Sequence, residues 1–357
     1  MALLDRRLLF VGGKGGVGKS VIAACLALIA AKRGRRVLLV AIDNSSPEDQ
    51  ETTSASLGTR GLSRAADRFS ELLDGEPTTA TIRRIRSLSE GPGIFAVNLE
   101  PQPVAGEFLD VHVPVRALSR QIAGSKLFQT WLDATPMLRE LLFLGQSWRF
   151  ATDTPPHSSR PRWDLVVVEA PATGHSLGLL QSARTAGELL LGPLGNRARE
   201  VDAYMRDPAT TGLVLTTLPE EMPVNECLEL HRVARETLEI PLGPVILNAM
   251  PPAEIGPAGA ALLSAGDSDP SATLADRAGV SAITAAALTR AARTAAGHSR
   301  DRRRAAEERA ADLDEGLARP ALRLPLLTGA RFGFAEIETL AGVLAEQLDR
   351  LAEEEGS

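Results

Sequence analysis

Cysteine and histidine are scarce in this chain of 357 residues, and each scarcity argues against a class of site. The two cysteines, Cys25 and Cys227, lie too far apart in sequence to form a CxxC pair. This argues against a zinc site built from cysteines, an iron–sulfur cluster and a disulfide framework. The five histidines show no metal-ligand spacing. Cys25 falls within an apolar stretch, where buried packing is its expected role.

The chain also lacks a long apolar run and a strong excess of positive charge. The longest apolar run, residues 21–31, is too short to span a bilayer, and the N-terminus has no signal-peptide features. The net charge of −6 gives no sign of a general surface for nucleic acid or anionic membranes. We therefore expect a cytoplasmic protein that binds no nucleic acid.

Short apolar stretches alternate with helical stretches along most of the chain. The expected strands are residues 8–12, 35–42, 94–99, 164–169, 213–218, 245–248 and 322–326. The expected helices between and after them include residues 19–33, 224–238, 289–317 and 336–353. Continuous apolar strands that alternate with helices are typical of a parallel sheet covered on both faces. We predict an α/β fold with a doubly wound, mostly parallel sheet.

Two parts of the chain depart from this alternation. Residues 104–150 look helical throughout, with broad hydrophobic faces. Residues 251–300 begin with a weakly patterned stretch rich in Ala, Gly, Pro and Ser. We predict a core formed by residues 1–103 and 151–357, with 104–150 as a helical insertion and 251–300 as a variable excursion within the core.

The most informative segment runs from Gly13 to Ser20, with the sequence GKGGVGKS, between an expected strand and an expected helix. It matches G-x-x-x-x-G-K-[ST], the phosphate-binding loop, in the strand–loop–helix context that this motif requires. Glycines let successive N–H groups turn toward an anion, and the following helix presents its positive end. Lys19 is placed to reach the β- and γ-phosphates, and Ser20 to coordinate Mg²⁺. The predicted nucleotide-binding residues are Gly13, Lys14, Gly15, Gly16, Val17, Gly18, Lys19, Ser20 and Val21.

Two acidic residues end expected strands. Asp43 follows the strand at 35–42, and Glu169 ends the strand at 164–169. In open parallel sheets, ligands bind at the carboxyl ends of the strands. Either carboxylate could hold a metal-bound water or the attacking water of phosphoryl transfer, and the alternative is that each caps the helix that follows. We predict Ser20 and Glu169 as metal-site residues.

The phosphate loop with its additional lysine, Lys14, resembles the deviant Walker A signature of the ATPases that include MinD, ParA, the nitrogenase iron protein and ArsA. The segment Ala172-Thr-Gly-His-Ser-Leu177 resembles switch II of the ArsA family, which also includes the eukaryotic ATPase that delivers tail-anchored membrane proteins. Asn248 and Pro325-Leu-Leu327 match the family in position and order. The resemblance runs from the first strand to about residue 330.

This resemblance implies a dimeric switch that binds ATP or ADP with Mg²⁺. Lys14 would reach across the dimer interface to the partner's nucleotide, and Asp43 would position the attacking water. The positions that match the family's adenine contacts are Asn248, Pro325 and Leu326. The family places its cargo or effector surface in the helical region, residues 104–150. The alternative for these helices is that their apolar faces are buried in the protein's own core.

Departures from the family pattern bear on activity. The residues after Asp43 are Asn-Ser-Ser-Pro instead of the usual Pro-Ala-His, and Glu169 stands where the family has Asp. The family's interfacial CxxC pair is missing, so we expect no zinc. The altered residues are compatible with slow hydrolysis, or with a site that a partner subunit completes.

Three functional hypotheses follow. The leading one is a dimeric ATPase, a homodimer or a heterodimer with a paralogue, that couples its nucleotide state to a client protein or a membrane-associated partner. The second is a degenerate nucleotide-binding regulatory subunit paired with an active paralogue. The third is a ParA- or MinD-like positioning ATPase, which the net charge and the Thr-Gly-His segment disfavour.

Overall fold

The protein is described here from a computed structural model. The described residues are 2–42, 69–75, 81–89, 91–112, 125, 136–171, 173–252, 271–327 and 332–356. Four of the predicted features lie wholly or partly outside these ranges: Asp43 with the residues that follow it, Ala172 at the start of switch II, much of the predicted insertion, and much of the predicted excursion.

Eight strands of the described chain form one sheet. They are β1 (Leu8–Gly12), β2 (Val37–Ile42), β3 (Arg83–Arg86), β4 (Ile94–Leu99), β5 (Leu165–Glu169), β6 (Thr211–Thr217), β7 (Leu242–Met250) and β8 (Leu322–Pro325). Their order across the sheet is β3-β4-β2-β5-β1-β6-β7-β8. All neighbours are parallel except β3, which runs antiparallel to β4 at one edge. The predicted doubly wound, mostly parallel α/β fold is confirmed.

Helices cover both faces of this sheet. They are α1 (Lys19–Lys32), α2 (Pro101–His112), α3 (Pro136–Thr152), α4 (Thr173–Leu189), α5 (Gly192–Arg206), α6 (Glu221–Glu236), α7 (Ser271–Ala278), α8 (Ala282–Leu317) and α9 (Phe334–Gly356). Helices α1 and α9 pack on one face, and α2 to α6 with α8 contribute to the core on the other. No helix among the described residues has both the length and the apolar composition needed to cross a bilayer.

The central strands are continuous apolar runs because both of their faces are buried. In β1, Leu8 and Phe10 belong to the core beneath α3, α4 and α6, whereas Leu9 and Val11 belong to the core beneath α1 and α9. All four side chains are fully buried. Burial of a side chain of this size contributes about 1.5–3 kcal/mol relative to exposure. Strand β1 is therefore a rigid base for the loop that follows it.

Several elements were not predicted from the sequence. Strand β3 reads Arg-Arg-Ile-Arg, and Ile85 is its one buried residue, so it shows no apolar run. Helices α5 and α7 were also missed. Helix α8 begins at Ala282, earlier than the predicted start at Thr289, since the Ser281 hydroxyl caps it by accepting a hydrogen bond from the Thr284 amide at 3.1 Å.

The described ends of the predicted insertion pack against the main core. Val104 and Ala105 of α2, and Phe143 and Leu144 of α3, are buried in the same cluster as residues of the central strands. For α2 and α3 this supports the alternative in which apolar faces are buried in the protein's own core. The division at residues 104–150 and the variable excursion at 251–300 stay predictions.

Both cysteines are packing residues in this fold. Cys25 lies in α1 and Cys227 in α6, and neither forms a disulfide. Burial raises the pKa of each thiol to about 12. Since the thiolate is the reactive form, these residues are poor nucleophiles and poor metal ligands in the folded protein.

Candidate nucleotide-binding site

The loop between β1 and α1 has a backbone conformation that requires glycine at several positions. Gly13, Gly16 and Gly18 have φ values of +144°, +85° and +94°. Residues with a Cβ rarely adopt such values. A Cβ on Gly13 would overlap the carbonyl oxygen of Thr216 in β6, and a Cβ on Gly18 would overlap the side-chain amide of Asn248 in β7. The loop is therefore shaped both by its own turns and by the ends of two other strands.

Lys19 points its ammonium group into this loop. Its Nζ donates hydrogen bonds to the carbonyl oxygens of Gly13 at 3.2 Å and Lys14 at 2.9 Å. The residue is only 7% exposed. It is also the first residue of α1, where the positive end of the helix dipole favours anions. A buried ammonium at a helix N-terminus is an arrangement suited to a phosphate-binding loop.

Ser20 and Glu169 meet beside the loop. Strands β1 and β5 are neighbours, and their register places Val11 opposite Glu169. The Ser20 Oγ donates a hydrogen bond of 2.7 Å to Glu169 Oε1. A hydroxyl and a carboxylate at this separation fit Mg²⁺, which binds one or two such groups together with phosphate oxygens and waters. The additional methylene of Glu169, relative to Asp, does not prevent the contact.

The residues that match the family's adenine contacts lie at the end of β7 and β8. Asn248 Nδ2 donates a hydrogen bond of 3.0 Å to the carbonyl oxygen of Val17, which ties β7 to the phosphate loop. The Leu326 amide donates a hydrogen bond of 2.8 Å to the carbonyl oxygen of Met250, directly after β8. Pro325 is paired with Met250 in the sheet. Asn248 therefore lies beside the loop, and the contact of all three residues with adenine stays a prediction.

Lys14 makes a contact that sequence reasoning did not anticipate. Its Nζ lies 2.9 Å from Glu226 Oε1 of α6, and the two side chains are 32% and 33% exposed. The sequence singles out no role for Glu226, because a lone acidic residue on the partly exposed face of a helix carries no motif. Gly174 and His175 of the predicted switch II lie in the first turn of α4.

The chain is similar in sequence to several known nucleotide-binding proteins. The CobQ/CobB/MinD/ParA nucleotide binding domain matches residues 8–279. The ATPase BagA of Mycobacterium tuberculosis is 30% identical over 264 residues, which cover 74% of this chain and 71% of BagA. An arsenical pump-driving ATPase of Escherichia coli is 27% identical over 239 residues, 62% of this chain and 36% of that protein. The ATPase GET3C of Arabidopsis thaliana is 23% identical over 287 residues, 70% and 68% of the two chains.

Proposed function

Because the chain belongs to the CobQ/CobB/MinD/ParA nucleotide-binding family, within its ArsA-like group, we propose that it is a Mg²⁺-dependent ATPase that switches conformation by closing as a dimer. The observation that carries the proposal is the phosphate loop, in which Lys19 is buried and Lys14 remains one-third exposed. Lys19 is placed to bind the nucleotide of its own chain. Lys14 has a side chain that a second chain can reach.

Within this proposal the residues have distinct roles. The backbone amides from Gly13 to Gly18 bind the phosphates, and Lys19 neutralises charge on the β- and γ-phosphates. Ser20 and Glu169 would hold Mg²⁺, which supplies charge neutralisation on the phosphates when bound. Asp43 is the proposed catalytic residue that orients the attacking water. The adenine ring would lie against Asn248, Pro325 and Leu326.

The proposed dimer is either a homodimer or a heterodimer with a paralogue. In both, Lys14 would stabilise the charge that develops on the partner's γ-phosphate, as an arginine finger does. The client or effector would bind the helical region at residues 104–150, with a client protein or a membrane-associated partner as the class of ligand. The protein would act in the cytoplasm, without nucleic acid or zinc.

A second candidate function is a regulatory subunit that binds ATP and does not hydrolyse it. The observations that favour it are the Asn-Ser-Ser-Pro sequence after Asp43 and the glutamate at position 169. Such a subunit would need an active paralogue to complete a catalytic site.

Hydrolysis by the isolated protein, before and after Lys14→Ala, tests the proposal. We expect slow hydrolysis that requires Mg²⁺ and falls by about a hundredfold or more in the variant, the size of effect typical for removal of a group that stabilises transition-state charge. Phosphate release under ATP saturation gives the rate. If the wild-type chain binds ATP without hydrolysing it, and Lys14→Ala changes nothing, the regulatory-subunit function replaces the ATPase.

A further inference from the structure

The side chain of Lys14 is engaged within its own chain. Strands β1 and β6 are neighbours, so the helix that follows β6, α6, starts beside the phosphate loop that follows β1. This brings Glu226 Oε1 to 2.9 Å from Lys14 Nζ, although the residues are 212 positions apart.

Only one of the two carboxylate oxygens of Glu226 accepts a hydrogen bond in this contact. Its Oε2 is buried and has no hydrogen-bond partner among the described residues. A buried acceptor without a partner is unfavourable, so the carboxylate depends on Lys14 more than an exposed one would. The pair is still one-third exposed on both sides, and ion pairs so close to solvent are weak enough to exchange partners.

In the single chain, the ammonium group of Lys14 is held by Glu226, and a nucleotide in another chain would compete with this carboxylate for it. Its backbone is fixed in the loop, since the Lys14 carbonyl oxygen accepts a hydrogen bond from Lys19. Within this proposal, the ammonium group would move from Glu226 toward the second chain by side-chain rotation. A triphosphate carries several negative charges, so it can compete with a single carboxylate for this lysine better than a diphosphate can.

We propose that Glu226 is a positioning residue that retains Lys14 within its own chain until the triphosphate of a partner chain displaces it. The proposal rests on the proposed function, in which Lys14 acts across a dimer interface. Glu226 would then raise the ATP concentration that is needed for two chains to associate. It would also increase the discrimination between ATP and ADP. Breaking the Lys14–Glu226 pair costs free energy, and only a triphosphate bound in the facing subunit offsets that cost.

Glu226→Gln tests this role, because it removes the charge and keeps the shape of the side chain. Sedimentation velocity over a series of ATP concentrations gives the concentration at which half of the chains are associated. We expect Glu226→Gln to lower that concentration by about twofold to fivefold, the upper part of the range for loss of a partly exposed ion pair. We also expect the variant to associate measurably in ADP.

Glu229→Gln is the matched control. Glu229 lies on the same helix and is exposed, so its substitution should leave the ATP threshold unchanged. The double variant Lys14→Ala/Glu226→Gln should behave like Lys14→Ala alone, because Glu226 acts through Lys14. Circular dichroism melting of each variant separates these effects from unfolding. Glu226→Ala provides a second substitution if the glutamine variant is unstable.

Two results would overturn the proposal while leaving the proposed function intact. One is a threshold for Glu226→Gln equal to that of the wild type. The other is a higher threshold, which would mean that Glu226 supports the associated state. By contrast, a wild-type chain that binds ATP and never associates would overturn the proposed function itself.

Discussion

Replacing Lys19 with alanine is expected to lower the affinity for ATP by about a hundredfold. The Lys19 ammonium lies inside the phosphate loop, within 2.9 and 3.2 Å of two of its carbonyl oxygens, and is almost fully buried. Hydrogen bonds to charged groups contribute about 1.5–3 kcal/mol each. Since about 1.4 kcal/mol corresponds to a tenfold change in affinity, loss of this contact to the phosphates accounts for a change of that size.

Lys32→Ala is a matched control for this prediction. Lys32 is on the same helix, but its side chain is 50% exposed and paired with Glu338 at the surface. Its removal takes away the same charge at a distance from the loop, and we expect the ATP affinity to change by less than about twofold. Isothermal titration calorimetry on both variants gives the comparison. Equal affinities for Lys19→Ala and wild type would show that this loop does not bind the phosphates.

Gly13→Ala is expected to destabilise the protein and to abolish most of its ATP binding. The φ of +144° at Gly13 is unfavourable for alanine, and the new Cβ would overlap the carbonyl oxygen of Thr216. Strained backbone conformations of this kind cost about 1–3 kcal/mol, and the overlap with β6 adds to that cost. The loop can relieve the overlap only by moving away from β6, which would misplace its amides. Urea denaturation and ATP titration measure the two effects.

Gly34→Ala separates backbone strain from close contact. Gly34 also has a positive φ, +80°, but a Cβ there would meet no atom within 4 Å. We expect a loss of about 1 kcal/mol in the free energy of unfolding and no change in ATP affinity. If Gly13→Ala and Gly34→Ala gave equal results in both measurements, the close approach of the loop to β6 would matter neither for stability nor for ATP binding.

The central part of the fold could be predicted from the sequence because its signals are local. Strands β1 and β4 have the bounds predicted for them, residues 8–12 and 94–99, since buried strands require continuous apolar runs. Strand β3 could not be found in the same way. It lies at the edge of the sheet, and its arginines are compatible with solvent on one side. Edge strands need no apolar run, so periodicity does not reveal them.

The same distinction applies to the candidate site, where a local motif could be predicted and contacts between distant segments could not. The phosphate loop is a contiguous motif, so the sequence alone is enough to predict Lys19 and Ser20 as members of one site. The partners of these residues come from elsewhere in the chain. That Ser20 contacts Glu169 follows from strand order, which the motif does not specify. The Lys14–Glu226 pair depends on how α6 is rotated about its axis, and a solvated helix face gives no signal for that rotation.

The central claim is that ATP drives association of this chain through Lys14. Sedimentation velocity tests it most directly, on protein purified from its own host so that a paralogous partner is retained. In the presence of Mg²⁺ and a non-hydrolysable ATP analogue, we predict a shift from a single chain to a two-chain complex. In ADP, and for Lys14→Ala in the analogue, we predict a single chain. A protein that binds the analogue and sediments as one chain in every condition would contradict the claim.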